Sequence, residues 1–395
     1  MGTVTYFPLL ENFILTSSRD EKPERETLSN EMQDYYQIPQ TKKGILFIPD
    51  ISGFTNFVNH TEASHSQHII SELLELIIAE VKDEFQISEI EGDAILFYKF
   101  ANSFDLAAII DLCQRIFMNF HSHLKNYQRD LVCHCGACSM ANRLGLKFII
   151  HIGHFGIHEV STREKLYGKE VIFAHRLLKN HVVLSEYILL STLDALNIEI
   201  PFESIEEEVE GYGPINIKLL DLTPLKKDIP EPLQRPVETF PKVSRMVFET
   251  VPAISFQELV LAITEPEERM QWMENVSKIK LKGHKINRIK TEHECVINGN
   301  VVEVTLEELV SGENEMKILE SASLRAPVME MYQLFSITKM ENEKVVIGMG
   351  TALKDLKNPV FKIFKPIIEK YLAYKNSKSL RSLADYLNVS HSQKL

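Results

Sequence analysis

An apolar run with a carboxylate near its end constrains the fold of this chain more than any other feature. Residues 44–51 read GILFIPDI and are followed by the turn residues Ser52 and Gly53. A short run without polar alternation is typical of a strand that is covered on both faces. The sequence therefore predicts a layered domain in which a buried strand carries Asp50 to its carboxyl end.

A second carboxylate lies at the tip of a predicted hairpin. Residues 87–98 read ISEIEGDAILFY, which indicates two strands joined by a turn with Asp93 at its end. Helical periodicity over 64–84 and 103–120 and a strand at 146–154 complete the order β-α-β-β-α-β. That order predicts a ferredoxin-like core, whose neighbouring strands bring Asp50 and Asp93 together.

Composition changes along the chain divide it into four parts. We expect an N-terminal extension at 1–42, a first domain at 43–222, a linker at 223–242 that contains five prolines, and a second domain at 243–390. The second domain combines alternating strands, including a hairpin marked by Asn298-Gly299, with a long final helix. The predicted class is α+β throughout.

Charge and apolar content limit the classes of partner. The chain of 395 residues has a formal net charge of −12, which disfavours nucleic acid and anionic lipid unless charge is locally segregated. No apolar stretch is long enough to span a bilayer, and residues 1–21 lack the basic start and cleavage site of a signal peptide. Five cysteines, an odd number, favour a reducing compartment. We expect a cytoplasmic protein with no nucleic-acid partner and no membrane insertion.

The two carboxylates have a chemical and a structural interpretation. Adjacent carboxylates repel each other, and a divalent cation between them relieves the repulsion. Mg²⁺ held in this way bridges triphosphate oxygens and activates a hydroxyl, and the backbone amides of Gly53, Phe54 and Thr55 can hold phosphate at a helix start. Alternatively, Asp50 only ends its strand and Asp93 only holds its hairpin. Spacing alone leaves both interpretations open.

Four motifs occur in the order found in a known family. They are IPDISGFT at 48–55, EGDA at 91–94, HIGHFG at 151–156 and YGKEVIFAHRL at 167–177. Together they resemble the catalytic domains of class III adenylate and guanylate cyclases, and the resemblance covers roughly 44–222. It implies a ferredoxin-like, class III cyclase-type domain that binds a nucleoside triphosphate.

The resemblance also implies roles for individual residues. Asp50 and Asp93 would bind two Mg²⁺ or Mn²⁺ ions with help from the Ile51 carbonyl. Arg176 stands where the family has the arginine that stabilises charge on the α-phosphate. Ile172 stands where the family has the asparagine that orients the ribose, and isoleucine donates no hydrogen bond.

Base selection and oligomeric state follow from the same resemblance. Glu89 matches the guanine-selecting acid of guanylate cyclases, whereas Lys165 matches neither base-reading residue of the family, so the base stays open. The family's sites form between two chains, which implies a homodimer or a pair with another cyclase-like chain. The expected function is a nucleotidyl cyclase-like signalling protein; the alternatives are a pseudo-cyclase that senses nucleotide or ligand without turnover and a dimeric ligand-binding protein.

A cysteine cluster has no counterpart in the family motifs. Cys133, Cys135 and Cys138 form a C-x-C-x-x-C run with several histidines nearby in the sequence. Such a run can hold Zn²⁺ or act as a redox site. The alternative is a set of small buried residues that precede a strand.

The second domain, 243–390, resembles the START-like helix-grip superfamily, also called SRPBCC. Its features are the element order, Trp272, residues 293–295 on a strand and the amphipathic final helix. The resemblance implies an apolar small molecule in a cavity between a curved sheet and that helix. The helix residues that we expect to face the sheet lie along one apolar stripe, namely Val360, Phe361, Phe364, Ile367, Ile368, Tyr371 and Leu372.

Overall fold

The fold, as seen in a computed structural model, consists of two mainly antiparallel sheets and the helices that pack against them. It describes residues 41–61, 63–132, 136–191, 200–233, 240–243, 245–251, 254–282, 288–323, 330–340, 344–354 and 359–394. The predicted α+β class is confirmed, because long helices and strands alternate in both halves of the chain.

The first half of the chain forms an eight-stranded sheet with helices on both faces. Its strands are β1 (Lys42–Ser52), β2 (Gln86–Glu91), β3 (Ala94–Phe100), β4 (Gly145–Val160), β5 (Arg163–Tyr167), β6 (Tyr187–Ser191), β7 (Glu203–Val209) and β8 (Gly213–Asp221). Its α-helices are α1 (Phe54–Asn59), α2 (Ala63–Val81), α3 (Leu106–Arg129), α4 (Gly136–Met140) and α5 (Lys169–Leu177), and 3₁₀ turns lie at Ala141–Arg143 and Thr223–Asp228.

The strand order of this sheet is β2-β3-β1-β4-β6-β8-β7, and β5 extends β4 as a hairpin. The first four strands pair antiparallel in the order that a ferredoxin-like β-α-β-β-α-β unit produces. Strands β4 and β6 then pair in parallel. The predicted core order is therefore present, with β1 between β3 and β4.

Strand β1 is buried on both faces, which explains its unbroken apolar sequence. Ile45 and Phe47 point into a core shared with α2 and α3, whereas Leu46 and Ile48 point into a second core beneath α5. Because both faces are covered, neither set of alternating side chains can be polar.

The second half forms a seven-stranded antiparallel sheet with helices against one face. Its elements are β9 (Met246–Val251), α6 (Phe256–Thr264), α7 (Pro266–Trp272), β10 (Val276–Lys282), β11 (Glu292–Ile297), β12 (Asn300–Ser311), β13 (Glu315–Ser323), β14 (Glu330–Lys339), β15 (Val345–Lys354) and α8 (Pro359–Lys394). The strand order is β10-β11-β12-β13-β14-β15-β9. The hairpin predicted at Asn298-Gly299 joins β11 to β12, and both residues have positive φ, 49° and 77°, as a type I′ turn requires.

Helix α8 contacts the sheet through its second half. Leu380, Leu383 and Leu387 are buried in the core of this sheet. The prediction that Phe364, Ile367 and Tyr371 lie on the gripped face is wrong, since all three are exposed. Periodicity showed an amphipathic helix but not which of its faces meets the sheet.

The two halves contact each other along α2 and α3. Leu131 forms a β-bridge with Arg288, and the Ile289 amide donates a hydrogen bond of 3.2 Å to the Asp130 carbonyl. The Arg288 guanidinium lies 4.4 Å from the centre of the Tyr127 ring and forms an ion pair with Glu72. The connection is therefore packed rather than only covalent.

The Glu72 carboxylate at this contact has a perturbed pKa. Burial acts to raise its pKa, but the hydrogen bond from His123 and the charge of Arg288 outweigh burial and lower it to about 2. Glu72 is therefore ionised at neutral pH and holds Arg288 electrostatically. Within the described part of the chain, none of the helices unites the length and the apolar composition that crossing a bilayer requires.

A buried ion pair in the second half of the chain provides a test of the stability of the second sheet's core. Arg269 donates to both oxygens of Glu320 at 2.6 and 2.7 Å, and the two side chains are 5% and 2% exposed. We expect Arg269→Met to lower the free energy of unfolding by about 3 to 5 kcal/mol, because it leaves a buried carboxylate without its partner. Urea unfolding followed by the fluorescence of Trp272, the chain's single tryptophan and a member of the same core, measures this loss.

The double variant Arg269→Met/Glu320→Leu is the control, since it removes both charges and should recover most of the lost stability. A single variant that unfolds at the wild-type urea concentration would contradict the assignment of this pair as a buried, mutually dependent unit.

Candidate functional site

The structure brings the two predicted carboxylates to the same end of the first sheet. Asp50 lies near the end of β1, opposite Ala94 of β3, and Asp93 immediately precedes that strand. The Ile51 amide donates to the Asp93 carbonyl at 3.1 Å, which fixes the hairpin turn against β1. Gly92 permits this turn through its positive φ of 64°.

The two carboxyl groups interact directly. Partial burial is the largest cause that raises the pKa of Asp93, and the charge of Asp50 and a hydrogen bond with it raise it further, to about 6. A proton between the two groups relieves their repulsion. A divalent cation in the same place would do so more strongly, because its charge is larger.

Lys147 is a site residue that sequence reasoning missed. It stands opposite Asp50 in the register of β1 with β4, and its Nζ lies 3.2 Å from Asp50 Oδ2. The same ammonium approaches the Leu178 carbonyl, just after α5, at 3.5 Å. The antiparallel pairing of two buried strands was the signal that could have found it, because the register decides which residue faces Asp50.

The donor set of this end of the sheet suits a hard cation. Carboxylate and carbonyl oxygens are the ligands that Mg²⁺ and Mn²⁺ prefer, and Mg²⁺ is commonly bound by one or two carboxylates together with substrate phosphates. Asp50, Asp93 and the Ile51 carbonyl provide such oxygens. No group of three or more His, Cys, Asp or Glu side chains poised to hold a metal occurs among the described residues. The arrangement fits a cation that substrate completes rather than a closed protein cage.

The predicted phosphate-contacting residues lie at the start of α1. Gly53 precedes this short helix with φ of 87°, and its carbonyl accepts a hydrogen bond of 3.0 Å from the Phe57 amide. Phe54 lines a mainly apolar cavity of about 280 Å³. This cavity is lined by Phe54, Val58, Ser66, Gln67, Ile70, Ser71, Leu74 and Gly92. Phosphate contact by Gly53, Phe54 and Thr55 stays a prediction.

The two candidate base-reading residues contact each other. Lys165 on β5 forms an ion pair with Glu89 on β2. His175 of α5 lies 3.8 Å from Glu89 and 3.8 Å from Glu91. Glu89 and Lys165 therefore belong to one charged cluster on the surface of the first sheet.

Arg176 and Ile172 lie one turn apart on α5. Arg176 forms an ion pair with Glu210, in the turn between β7 and β8, so its described partner is not the carboxylate pair. The Ile172 side chain is 55% exposed. Within one chain, the structure thus joins Asp50, Asp93 and Lys147 and leaves Arg176 in a separate contact.

A buried histidine at the start of the motif at 151–156 ties α5 to the sheet. His151 Nε2 lies 2.7 Å from Glu170 Oε2, and its Nδ1 lies 3.1 Å from the Ser191 carbonyl. The ring therefore lies between two oxygen atoms, one on the α5 side chain and one on the β6 backbone. A Cβ at Gly153 would lie 2.7 Å from Glu170 Cγ, so this glycine gives the glutamate its space.

The predicted cysteine site is only partly described. Cys133 and Cys135 lie outside the described residues. Cys138 is buried on α4, where Tyr127 Oη donates to its sulfur at 3.2 Å and His65 Nδ1 lies 3.5 Å away. Metal binding or redox activity of the three cysteines stays a prediction.

Comparison with known proteins gives similarity at low identity. A family described as a protein of unknown function (DUF2652) matches residues 70–187. The uncharacterised protein Rv2561/Rv2562 of Mycobacterium tuberculosis is 27% identical over 160 residues, which are 39% of this chain and 73% of that protein. The family match lies within the first half of the chain.

Solved structures of cyclase domains also match part of the chain. The adenylyl cyclase CyaB of P. aeruginosa is 21% identical and matches with a TM-score of 0.35 over 46% of this chain and 95% of that one. The guanylate cyclase domain of RhGC from Catenaria anguillulae, in complex with GTP, is 17% identical with a TM-score of 0.35 over 45% and 95%. At these scores the choice of function depends on the site residues described above.

We expect Asp93→Asn to affect the melting temperature differently in the absence and in the presence of metal. The folded-state pKa of Asp93, about 6, exceeds its ordinary value of 3.8, so its contribution to stability is present below pH 3.8 and is lost as the pH rises through about 6. Near neutral pH, Asp93→Asn should therefore keep or raise the melting temperature of the metal-free protein. The same variant should abolish any rise in melting temperature produced by Mn²⁺.

Asp83→Asn, at an exposed carboxylate, is the matched control and should leave both temperatures unchanged. In the wild type, the increase in melting temperature that Mn²⁺ produces should become smaller as the pH falls below about 6, since protons then compete with the metal for the site. A metal-free Asp93→Asn protein that melts well below the wild type would contradict this account of the pair.

Proposed function

We propose that residues 43–222 bind a nucleoside triphosphate through a divalent cation at Asp50 and Asp93 and cyclise it. The observation that carries the proposal is the contact between these two carboxyl groups; burial and then the charge of Asp50 raise the pKa of Asp93 to about 6. Two carboxylates held together at a strand end and a hairpin turn repel each other, which costs free energy unless a bound cation offsets the repulsion. The ordered motifs that resemble class III cyclases support the same conclusion.

In the proposed reaction the ribose 3′-oxygen attacks the α-phosphorus. A new P–O bond closes the ring, the bond from the α-phosphorus to its bridging oxygen breaks, pyrophosphate leaves, and the proton of the 3′-hydroxyl passes to water. Bound Mg²⁺ or Mn²⁺ would lower the pKa of the attacking hydroxyl and neutralise the triphosphate. The chain's own part is to orient that cation with Asp50, Asp93 and the Ile51 carbonyl, and to hold phosphate near Gly53, Phe54 and Thr55.

Lys147 gives this site a fixed positive charge. Its ammonium is 3.2 Å from Asp50 Oδ2, and the pairing of β4 with β1 fixes its backbone opposite Asp50. An ammonium so placed is a point charge suited to phosphate oxygens. We include Lys147 in the proposed nucleotide site as a residue that positions Asp50 and attracts the triphosphate.

Arg176 enters the proposal through a second copy of the chain. It pairs with Glu210 in its own chain rather than with Asp50. The first half of the chain has exposed apolar residues on β2, the β4–β5 hairpin and α5 that a partner would cover, namely Ile87, Ile90, Val160, Tyr167 and Ile172. We propose a homodimer in which Arg176 of one chain stabilises charge on the α-phosphate bound by the other.

A second candidate function is nucleotide sensing without turnover. Ile172 offers an apolar side chain, 55% exposed, where cyclases have a hydrogen-bond donor to the ribose. The ion pair of Glu89 with Lys165 also occupies the residues that would read the base. In this alternative the site binds the metal and nucleotide, and a partner reads its occupancy.

Product formation distinguishes the two candidates. Purified protein is incubated with Mn²⁺ and ATP, GTP, CTP or UTP, and cyclic nucleotides are detected by mass spectrometry. We expect one or more cyclic products in the wild type and none in Asp50→Ala, because that variant loses a cation ligand. The same product in both proteins would mean a contaminating enzyme and would contradict the proposal.

Restoring the missing donor is the companion variant. Ile172→Asn should increase the rate by about tenfold to a hundredfold, the effect typical of one well-placed hydrogen bond in a transition state, whereas Ile172→Leu should not. A wild type that binds nucleotide without product, together with an active Ile172→Asn, identifies the sensor. If neither the wild type nor Ile172→Asn binds nucleotide, both the cyclase and the sensor proposals are wrong.

Mixing variants tests whether the site is shared between copies. Asp50→Ala and Arg176→Ala should each be inactive, and a refolded or co-expressed mixture should regain about a quarter of wild-type activity, because half of the dimers contain one intact site of two. If the mixture stays inactive while wild-type protein treated in the same way is active, Arg176 acts within its own chain or not at all.

For residues 243–390 we propose a START-like helix-grip domain that binds an apolar small molecule. A single seven-stranded antiparallel sheet with the long helix α8 across it supports this proposal. The packed contact of Arg288 with Tyr127 and Glu72 gives the proposed ligand domain a route to α2 and α3 of the first half.

A further inference from the structure

The first half of α8 exposes bulky apolar side chains to solvent. Ile363 is 75% exposed, Ile367 65%, Tyr374 60%, Tyr371 58% and Phe364 49%. All five lie within three turns of one helix. Single exposed apolar residues are ordinary on protein surfaces, but a contiguous row of this kind marks an interaction surface.

These side chains form one stripe along the first half of α8. At about 100° per residue, the five residues fall within an arc of about 100°. Residues buried against the sheet by the second half of the helix, Asn376, Leu380, Leu383 and Leu387, fall on the opposite side. The exposed stripe is therefore not part of the core of the second sheet.

The stripe lies in a basic segment of an acidic protein. Residues 362–381 contain six basic residues and one acidic residue, whereas the whole chain has a net charge of −12. Lys370 and Lys375 lie on the two borders of the stripe. Further along the helix, Lys378 lies 3.8 Å from Glu274 and Arg381 lies 3.3 Å from Glu249, so those two cations also contact the folded body.

The charge decides which partner fits the stripe. Two copies of this helix half would bring like charges together, which opposes self-pairing. An anionic bilayer attracts the lysines, accepts the aliphatic residues among its acyl chains and accommodates tyrosine rings at the level of its headgroups. The lysine stems can lie along the apolar surface while their ammonium groups reach the phosphates.

We propose that the first half of α8 binds the surface of a membrane that contains anionic phospholipids. The helix lies in the interface with Phe364, Ile367 and Tyr371 turned toward the acyl chains. Anchoring is peripheral, in keeping with the lack of a helix suited to span the bilayer in the described part of the chain. The proposal is independent of the cyclase-like site and of any ligand in the second domain.

Vesicle flotation tests the proposal with the full chain. The protein is mixed with vesicles of phosphatidylcholine alone or of phosphatidylcholine with phosphatidylserine, at low and at high salt. We expect flotation with the anionic vesicles only, and a loss of bound protein as salt screens the lysines.

Two matched pairs of variants separate the stripe from its charges. Ile367→Glu/Tyr371→Glu should reduce partitioning by about tenfold or more, whereas Phe248→Glu, at a 60% exposed position on β9, should not change it. Lys370→Glu/Lys375→Glu should reduce it by at least about fivefold per lysine, whereas Lys278→Glu/Lys280→Glu on β10 makes the same change in net charge without effect. Circular dichroism of each variant confirms that the fold is kept.

Three results would overturn the proposal. They are no flotation with anionic vesicles at low salt, equal flotation with neutral vesicles, and flotation that the stripe variants leave intact. A shift of oligomeric state in the stripe variants, seen by light scattering without any vesicle binding, would assign the stripe to contact between proteins instead.

Discussion

The antiparallel pairing of β1 with β3 and with β4 is the constraint on which the first half of the structure depends. That register sets Asp50 opposite Ala94 on one side and opposite Lys147 on the other. Asp93 comes to Asp50 only because it immediately precedes β3. A slip of one residue would turn Asp50 to the other face of the sheet and separate the groups. Burial of β1 on both faces makes such a slip very costly, since it would exchange the apolar side chains of two cores.

Helix α5 depends on the same sheet through polar contacts. The His151 ring joins Glu170 of α5 to the backbone of β6, and Gly153 leaves room for the glutamate. Lys147 reaches both Asp50 and the carbonyl of Leu178, just beyond the end of α5. The helix that carries Ile172 and Arg176 is therefore held at its start and at its end by groups of β4. A change at the carboxylates has a direct structural route to α5 through Lys147.

Elements with strong local signals were predictable from the sequence, whereas the contacts between distant elements were not. The buried run of β1, the turn at Asp93 and the type I′ turn at Asn298-Gly299 each follow from a few adjacent residues. Lys147 and the Glu170 partner of His151 required a register and a helix position that no local pattern contains. The orientation of α8 was mispredicted because its apolar residues lie on two faces, and periodicity does not say which face meets the sheet.

The bridge between Leu131 and Arg288 changes where the chain can be divided. Val132, which follows α3 in the first half of the sequence, belongs to the hydrophobic core of the second sheet and is 1% exposed. A cut within the proline-rich segment 223–242 separates the two sheets along the chain but not in space. Each fragment would then present apolar and charged surface that the other covers in the intact protein. The proline-rich segment thus marks where the chain passes from one sheet to the other, whereas the folding unit includes residues from both sides of that segment.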